Sequence, residues 1–570
     1  MKKNKILWLK RIGLVIFFLL MLSGVAFGVV RLWTYIHQKI VTTQLNDKKW
    51  MEKNVSIKKS NLLGEDIYYV ERASTVPIFH EIFQEVVREK LDDMLKKTYS
   101  FEQPLLVYNL YGTNELGVNL YFETEDDYLV SYTIQVDGYP DFSRTLYSGE
   151  EGMLSKKHQY QLIGFVPGEK NLVTLSLRDS DDMVVEERQI ELDFSTIKIN
   201  AQVRLDTEEG SSSEELSNGL YAMLGNDSDK QDYLALYDNF GVLRSETEII
   251  GYRAHRILFQ NKKMYYSISQ TKIAEVDNLG QVTNIYETGH YQLHHDYTFD
   301  NDGNLLVLAN NTKNKTEEDC IIKIDLDTKA VTEVIDFSKM FASYVKTCQL
   351  DTTSTRDEGE DGLDWLHLNS IVYLDGDIIL SSRETSSILR VNNIEKNPEL
   401  VYLLADSSFW ENTEFNSYVY KKIGDFKIHA GQHSLNYQKA EEDGIYYLTF
   451  FDNNYGKSNS QPTFDYTTIG ISNTKSPFQG DKSYYYVYKV DENNRTFELV
   501  DSFDVTYSGI VSSVQSMDNG NIIVDSGTAG EFSEYDKAHT LIKTFRGKLN
   551  KYMMYRIFKY DFNDFWFQEG

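Results

Sequence analysis

The sequence predicts an all-β protein: an N-terminal membrane anchor, a small β-sandwich domain, then a six-bladed β-propeller. Three observations predict it. Apolar residues alternate with period two through short runs bounded by Gly, Asp-Gly and Asn-Gly turns over most of the chain. From about residue 200 such runs recur in units of roughly forty to fifty residues without intervening helices, as propeller blades do. One uncharged stretch, Ile12 to Val30, stands near the N-terminus.

That stretch is about long enough to cross a bilayer as a helix. Lys2, Lys3, Lys5, Lys10 and Arg11 precede it, which places the N-terminus in the cytoplasm and the rest outside the cell. A cleaved signal peptide is the rival reading, because Ala26-Phe27-Gly28 spaces small residues suitably. The apolar run continues past that site through Val29 and Val30, which favours an uncleaved, single-pass anchor in the cell membrane. The boundaries expected are 1–35 for cytoplasmic tip and anchor, 36–100 for a polar stalk and helix, 101–198 for the sandwich and 199–570 for the propeller.

The 570 residues exceed what one core can organise. With 40 Tyr and 30 Phe the chain is built for packed β-structure. A formal charge of −28 argues against nucleic acid as a partner and restricts membrane contact to the anchor. It also makes any clustered Arg or His informative. Cys320 and Cys348 either pair or stay as buried thiols, and two thiols are too few for a metal cluster. The oligomeric state is open, a homodimer included.

After the anchor and stalk, Ile78, Phe79, Ile82, Phe83, Val86, Val87, Leu91 and Met94 take helical spacing behind a Thr-Val-Pro start. Between Pro104 and Phe194 the period changes to two, with Gly and Pro-Gly turns, as in a sandwich. Six propeller units then begin near 218, 255, 291, 365, 429 and 508, and the tail MMYRIFKYDF is placed to close the ring on the first. Aligning the turn glycines Gly303 and Gly376 matches Asp296 to Asn369 and His294 to His367. Equivalent inner-strand positions of different blades converge on the axial channel. His367, Asn369 and Arg383 are therefore expected to face that channel, with His433 joining them from the next unit.

Three segments carry a family resemblance: HHDYTFDNDGNLLVL (294–308), DWLHLNSIVYLDGDIILSSRETSSI (364–388) and HAGQHSLNY (429–437). Together they resemble the bacterial aryl-sulfate sulfotransferases, in which a β-sandwich precedes a six-bladed propeller. The His-x-Asn-Ser strand followed by Ser-x-Arg is the specific part. The resemblance implies sulfuryl transfer from a phenolic sulfate donor to a phenol acceptor through a sulfated histidine, with no cofactor, nucleotide or metal. It makes His433 the nucleophile and has His367, Asn369 and Arg383 bind the sulfuryl oxygens. A further histidine falls on the His294–His295 pair. The family order points to His295 and the internal repeat to His294; on a regular strand only one of them faces the channel. The residue types suit the chemistry. A neutral imidazole attacks a sulfur shielded by negative oxygens, a planar guanidinium forks onto two of them, and an imidazolium stabilises the departing phenolate.

Blander readings stand beside these. His429 is expected to be structural. DNDGN (300–304) reads as a hairpin turn with some flavour of a calcium loop, and DEGEDG (357–362) as a solvated loop or a lid. Phe409–Trp410 is core or a phenol platform. The competing functions are a non-catalytic extracellular propeller that binds a peptide or glycan, and a propeller hydrolase. The hydrolase would place several carboxylates round a metal in the channel.

Overall fold

The computed structural model describes residue 39 and residues 42–568, apart from 62, 65–66, 150–153, 227–232 and 351–361. The expected anchor, Ile12–Val30, and most of the acidic 357–362 run lie outside the described residues. Among the described residues no helix is long and apolar enough to cross a membrane.

Six sheets form the propeller blades, four of them four-stranded and two enlarged to five strands, all antiparallel but for Lys421–Ile423, which adds to blade 5 in parallel. Their inner strands are Ile557–Tyr560, Ile257–Gln260, Tyr291–Phe299, Leu368–Leu374, His433–Lys439 and Ser513–Ser516 for blades 1 to 6. The ring closes at both ends of the chain. The C-terminal strand is the inner edge of blade 1, pairing Tyr560 with Leu220 and Ile557 with Met223. Asp206–Glu209 adds the outer edge of blade 6, against Leu541–Arg546. Beneath that seam Lys559 of blade 1 and Glu534 of blade 6 form a fully buried ion pair at 3.1 Å. The expected turns at Gly303 and Gly376 are present, but they differ in length, with five residues between Phe299 and Leu305 and two between Leu374 and Asp377, so the register counted from the glycines is not kept along the inner strands. Asp375 and Gly376 both take positive φ, as a two-residue hairpin turn of the I′ kind requires.

The blade strands are buried on both faces rather than one, because each sheet is packed between its neighbours. Period two then sends alternate residues to opposite sides. Ile378 and Leu380 join Leu306, Leu308 and Ile321 of blade 3, while Ile379 joins Leu448, Phe450 and Tyr488 of blade 5. Burial of this kind is worth about 1.5–3 kcal/mol for each large side chain, and it fixes the inner strands that carry the channel.

Ahead of the propeller, eight strands join into one hydrogen-bonded sheet. Its spine is the long strand Val118–Gln135. The first half of that strand pairs with Leu105–Tyr108 and Ser155–Leu162, and the second half with Phe142–Thr145 and Lys170–Arg178. The expected stalk is not free chain throughout. Residues 55–72 hold a hairpin, Val55–Ser60 with Ile67–Arg72, that extends the sheet by parallel pairing to Leu105–Tyr108. Its alternation is short, so the polar residues around it masked the signal. The helix is Glu81–Met94 and buries Phe83, Val86, Val87 and Leu91. It begins a turn later than Thr75-Val76-Pro77 suggests, since Ile78 packs on Gly112 instead of joining the helix. This unit is welded to the propeller. Leu120, Val130 and Phe142 share one core cluster with Leu236, Met264 and Phe558, and the buried Arg244 donates to the carbonyls of Gly164 and Pro140 at 3.0 and 2.8 Å.

Candidate active site at the propeller axis

The side chains expected in the channel come together where the inner strands of blades 3, 4 and 5 begin, and each of these strands carries a β-bulge there. Residues 294–296 bulge between Leu293 and Tyr297, Asn369 between Leu368 and Ser370, and Ser434–Leu435 between His433 and Asn436. His295, His367 and Ser434 sit at φ +52°, +50° and +59°. Left-handed backbone costs a residue other than glycine about 1–2 kcal/mol, and such strain persists where the surroundings impose it. The bulges turn side chains from the blade faces toward the axis.

The bulges also correct an expectation. His294 and His295 do not alternate as on a regular strand, so the pair is not split into one channel histidine and one outward histidine. Both rings approach Glu318, with ligand atoms of all three residues within 4.8 Å of one another. His295 makes the direct contacts: its Nε2 lies 3.0 Å from Nε2 of His367 and its Nδ1 3.0 Å from the hydroxyl of Tyr555. Its ring centre is 6.3 Å from that of His433. Both the hairpin turn and the bulge of blade 3 are longer than those of blade 4, so counting from the turn glycines loses register before it reaches the histidines.

His367 is gripped by carboxylates. Its Nδ1 lies 2.8 Å from Asp364 and 2.5 Å from Glu318. Burial and the neighbouring Arg383 pull its basicity down, yet Asp364 and Glu318 outweigh them and hold it at about 9. It is an imidazolium at neutral pH. Arg383 ion-pairs through NH2 with Asp364 at 3.2 Å and with Glu384 at 2.8 Å.

His433 has the opposite character. Burial, reinforced by Arg556, Arg383 and His367, pushes its basicity well below 6.5, against the opposing hydrogen bond from Asn453. It is a neutral imidazole, and its tautomer is set. Asn453 donates through Nδ2 to the carbonyls of Ser508 and Val511 at 2.7 and 3.1 Å, so its Oδ1 faces His433 and accepts from Nδ1 at 2.7 Å. The proton is on Nδ1 and the lone pair on Nε2. Burial likewise lowers His295 well below 6.5 despite Glu318, and lowers His294. Asn369 is fully buried and anchored, donating from Nδ2 to the Gln432 carbonyl at 2.8 Å. Nδ2 makes no second hydrogen bond among the described residues, and Oδ1 is buried without a partner.

Several residues here were not anticipated. Tyr555 ties His295 to His255, which lies 3.2 Å from the same hydroxyl. Arg556 braces the bulges from below, donating to the backbone carbonyls of His295 and Asn369 at 2.9 and 2.6 Å. Asp296, matched to Asn369 by the repeat, instead ion-pairs with Arg256 at 2.9 Å beneath the site. Applying the blade rule to every unit finds most of these positions: His255–Arg256 and Tyr555–Arg556 stand directly before inner strands, as His367 does. Glu318, on the loop ahead of Cys320–Ile324, has no counterpart in the repeat. The channel is thus not lined by cations and imidazoles alone. Glu318 and Asp364 belong to it, and with His294, His295 or His367 they form two groups whose ligand atoms lie within 4.8 Å and could hold a divalent cation.

The blander readings fare well elsewhere. His429 is fully buried, pushed by burial to about 3, and its Nδ1 lies 3.0 Å from the hydroxyl of Tyr488. In the DNDGN turn the ammonium of Lys323 sits 2.6 Å from Asp300, and ligand atoms of Asp300, Asp302 and Glu395 lie within 4.8 Å of one another, so the turn keeps its calcium-loop alternative. Trp410 is fully buried in the core and donates to Ser387 at 3.1 Å. Cys320 and Cys348 are free thiols.

No curated protein matches the chain. Among solved structures it is similar to a protein of unknown function from Bacteroides caccae, at 10% identity over 60% of this chain and 98% of that one, TM-score 0.35. It is also similar to a virginiamycin B lyase from Staphylococcus aureus, at 11% identity over 61% and 90%, TM-score 0.31. Likenesses this distant say nothing about activity. The family model for arylsulfotransferase (ASST) matches residues 206–563, from the outer strand of blade 6 to just past the strand that closes blade 1. The chain belongs to the arylsulfotransferase family.

Proposed function

We propose that the protein moves a sulfuryl group from a phenolic sulfate ester to a phenol in two half-reactions, through a sulfated His433. The observation that carries this reading is a pair of histidines with opposite charge states in one channel. His433 is neutral with Nε2 free, and His367 is charged between two carboxylates. In the first half-reaction the Nε2 lone pair forms the N–S bond as the S–O bond to the aryl oxygen breaks, and the phenolate takes the proton of His367. In the second, neutral His367 accepts the proton of the incoming phenol, whose oxygen attacks sulfur as the N–S bond breaks. The guanidinium of Arg383 and the side-chain amide of Asn369 hold the sulfuryl oxygens. His295 and Tyr555 support the ring of His367. No step is routed through a cofactor or nucleotide, which suits a propeller outside the membrane.

Purified full-length protein is expected to convert 4-nitrophenyl sulfate to nitrophenol only when a phenol acceptor is present. Release without acceptor should stop at about one equivalent per chain. Continuous release into water would make the protein a hydrolase.

A second reading is a metal-assisted hydrolase, favoured by Glu318 and Asp364 among the channel histidines. Metal content of the same preparation separates the two. About one equivalent of divalent metal, with release abolished by chelator, supports the hydrolase. A metal-poor protein that still shows the burst supports transfer. Intact cells treated with protease are expected to lose everything beyond about residue 60; protection would overturn the anchor and the extracellular placement together.

A further inference from the structure

We infer that the site prefers small single-ring phenols carrying a second negative charge, which Lys457 recognises; this rests on the sulfuryl-transfer reading above. Beside Arg383 lies a cavity of ≈ 190 Å³, walled by Tyr455, Pro477 and Ile510 and rimmed by Lys457. It is smaller than the roughly 300–1,000 Å³ of sites for drug-sized ligands, so one ring and its substituents fill it. Glu384, the carboxylate in its wall, is already saturated. One of its oxygens accepts from Arg383 NH2 at 2.8 Å and Asn459 Nδ2 at 3.2 Å. The other accepts from the Asn459 and Ser460 amides at 2.6 and 3.3 Å and from the Ser458 hydroxyl at 3.2 Å.

These bonds have two consequences. They wrap residues 458–460 around a buried carboxylate, which fixes the loop that presents Lys457 at the rim. They also leave Glu384 with no further capacity to accept the Lys457 ammonium, which ion-pairs with no acidic side chain among the described residues. In a chain of formal charge −28 an ammonium at a pocket rim without such a partner is an attractive point for an anion. Arg383, which holds the sulfuryl group on the reading above, and Lys457 line the same cavity, so a ring bound there by its sulfate reaches both. The ammonium suits a carboxylate, sulfonate or second sulfate on the same ring.

The test uses two nearly isosteric acceptors, 3-hydroxybenzoate and 3-hydroxybenzamide, with 4-nitrophenyl sulfate as donor. Wild-type protein is expected to favour the carboxylate about 5-fold in kcat/KM, the scale of a partly exposed ion pair, and the preference should shrink in high salt. In Lys457→Met the ratio should fall to about one, in Lys457→Glu it should invert, and Lys457→Arg should keep it. The ratio is read within each variant, so a general loss of rate cancels. An equal ratio in wild type and Lys457→Met overturns the inference while leaving sulfuryl transfer standing. If wild type transfers to neither acceptor nor to phenol, the functional reading itself fails, and this inference with it.

Discussion

His433→Asn is expected to abolish both the phenol burst and the sulfuryl label on the peptide containing AGQHSLNY, lowering kcat/KM by at least about 10⁴-fold, or roughly 5.4 kcal/mol of transition-state stabilisation. Two of its neighbours in the channel do not offer the same nucleophile. His367 is charged, and His295 has its Nε2 against His367 and its Nδ1 against Tyr555. The substitution removes one buried hydrogen bond, to Asn453, which costs about 1–3 kcal/mol and should leave the melting transition cooperative and within a few degrees of wild type. The pH profile provides an independent reading. Because burial holds His433 well below 6.5, it stays neutral through mildly acidic conditions, and activity should fall only well under pH 6.5. Because Asp364 and Glu318 hold His367 up near 9, it keeps its proton below that pH, and activity should fall as pH rises through about 9. A label found on His294, His295 or His367 would reassign the nucleophile. A missing alkaline limb would remove His367 from proton transfer.

Arg383→Lys keeps the charge and is expected to cost on the order of 10² in kcat/KM, about 2.7 kcal/mol. The tertiary structure sharpens the reason. The guanidinium reaches Asp364 and Glu384 with one nitrogen, and Arg383 also lines the small cavity. An ammonium cannot bridge both carboxylates and still present a planar fork to two sulfuryl oxygens. The loss should appear in the rate of label formation, with the label still on His433. Wild-type kinetics in the Lys variant would reduce Arg383 to a structural counter-ion for Glu384.

The propeller was legible because each blade repeats the same physical demand. Strands buried on both faces need apolar residues at every position, and tight hairpins need a residue such as Gly376 at positive φ. Those demands are local, so NLLVLANN, DIILSSRE and NIIVDSG declare themselves one by one. The tail 553–562 could be assigned to blade 1 by the same logic, since a ring of sheets without a closing strand leaves an open edge. The hairpin at 55–72 escaped notice because it is stabilised by joining a sheet far along the chain, not by its own pattern.

His367, Asn369 and His433 could be named from the sequence because they stand at the starts of inner strands, Arg383 because it follows the next strand of its blade, and all four because the family resemblance falls on them. The choice between His294 and His295 could not, since it depends on how many residues bulge between Leu293 and Tyr297, and a bulge has no compositional signature. Glu318 and Asp364 were missed for a related reason: they reach the axis from beside a two-residue strand pair, Thr316–Glu317 with Leu363–Asp364, that lies outside the blade sheets and that the repeat does not constrain. The sequence by itself thus determined the scaffold and the cationic and imidazole groups pointed at its axis. Only the tertiary structure decided their charge states. Two carboxylates close in space but 46 residues apart in the chain keep His367 protonated, and an amide 20 residues beyond His433 fixes its tautomer. Basicity is set by burial and by neighbours within a few ångströms, and the order of residues along the chain does not specify those neighbours.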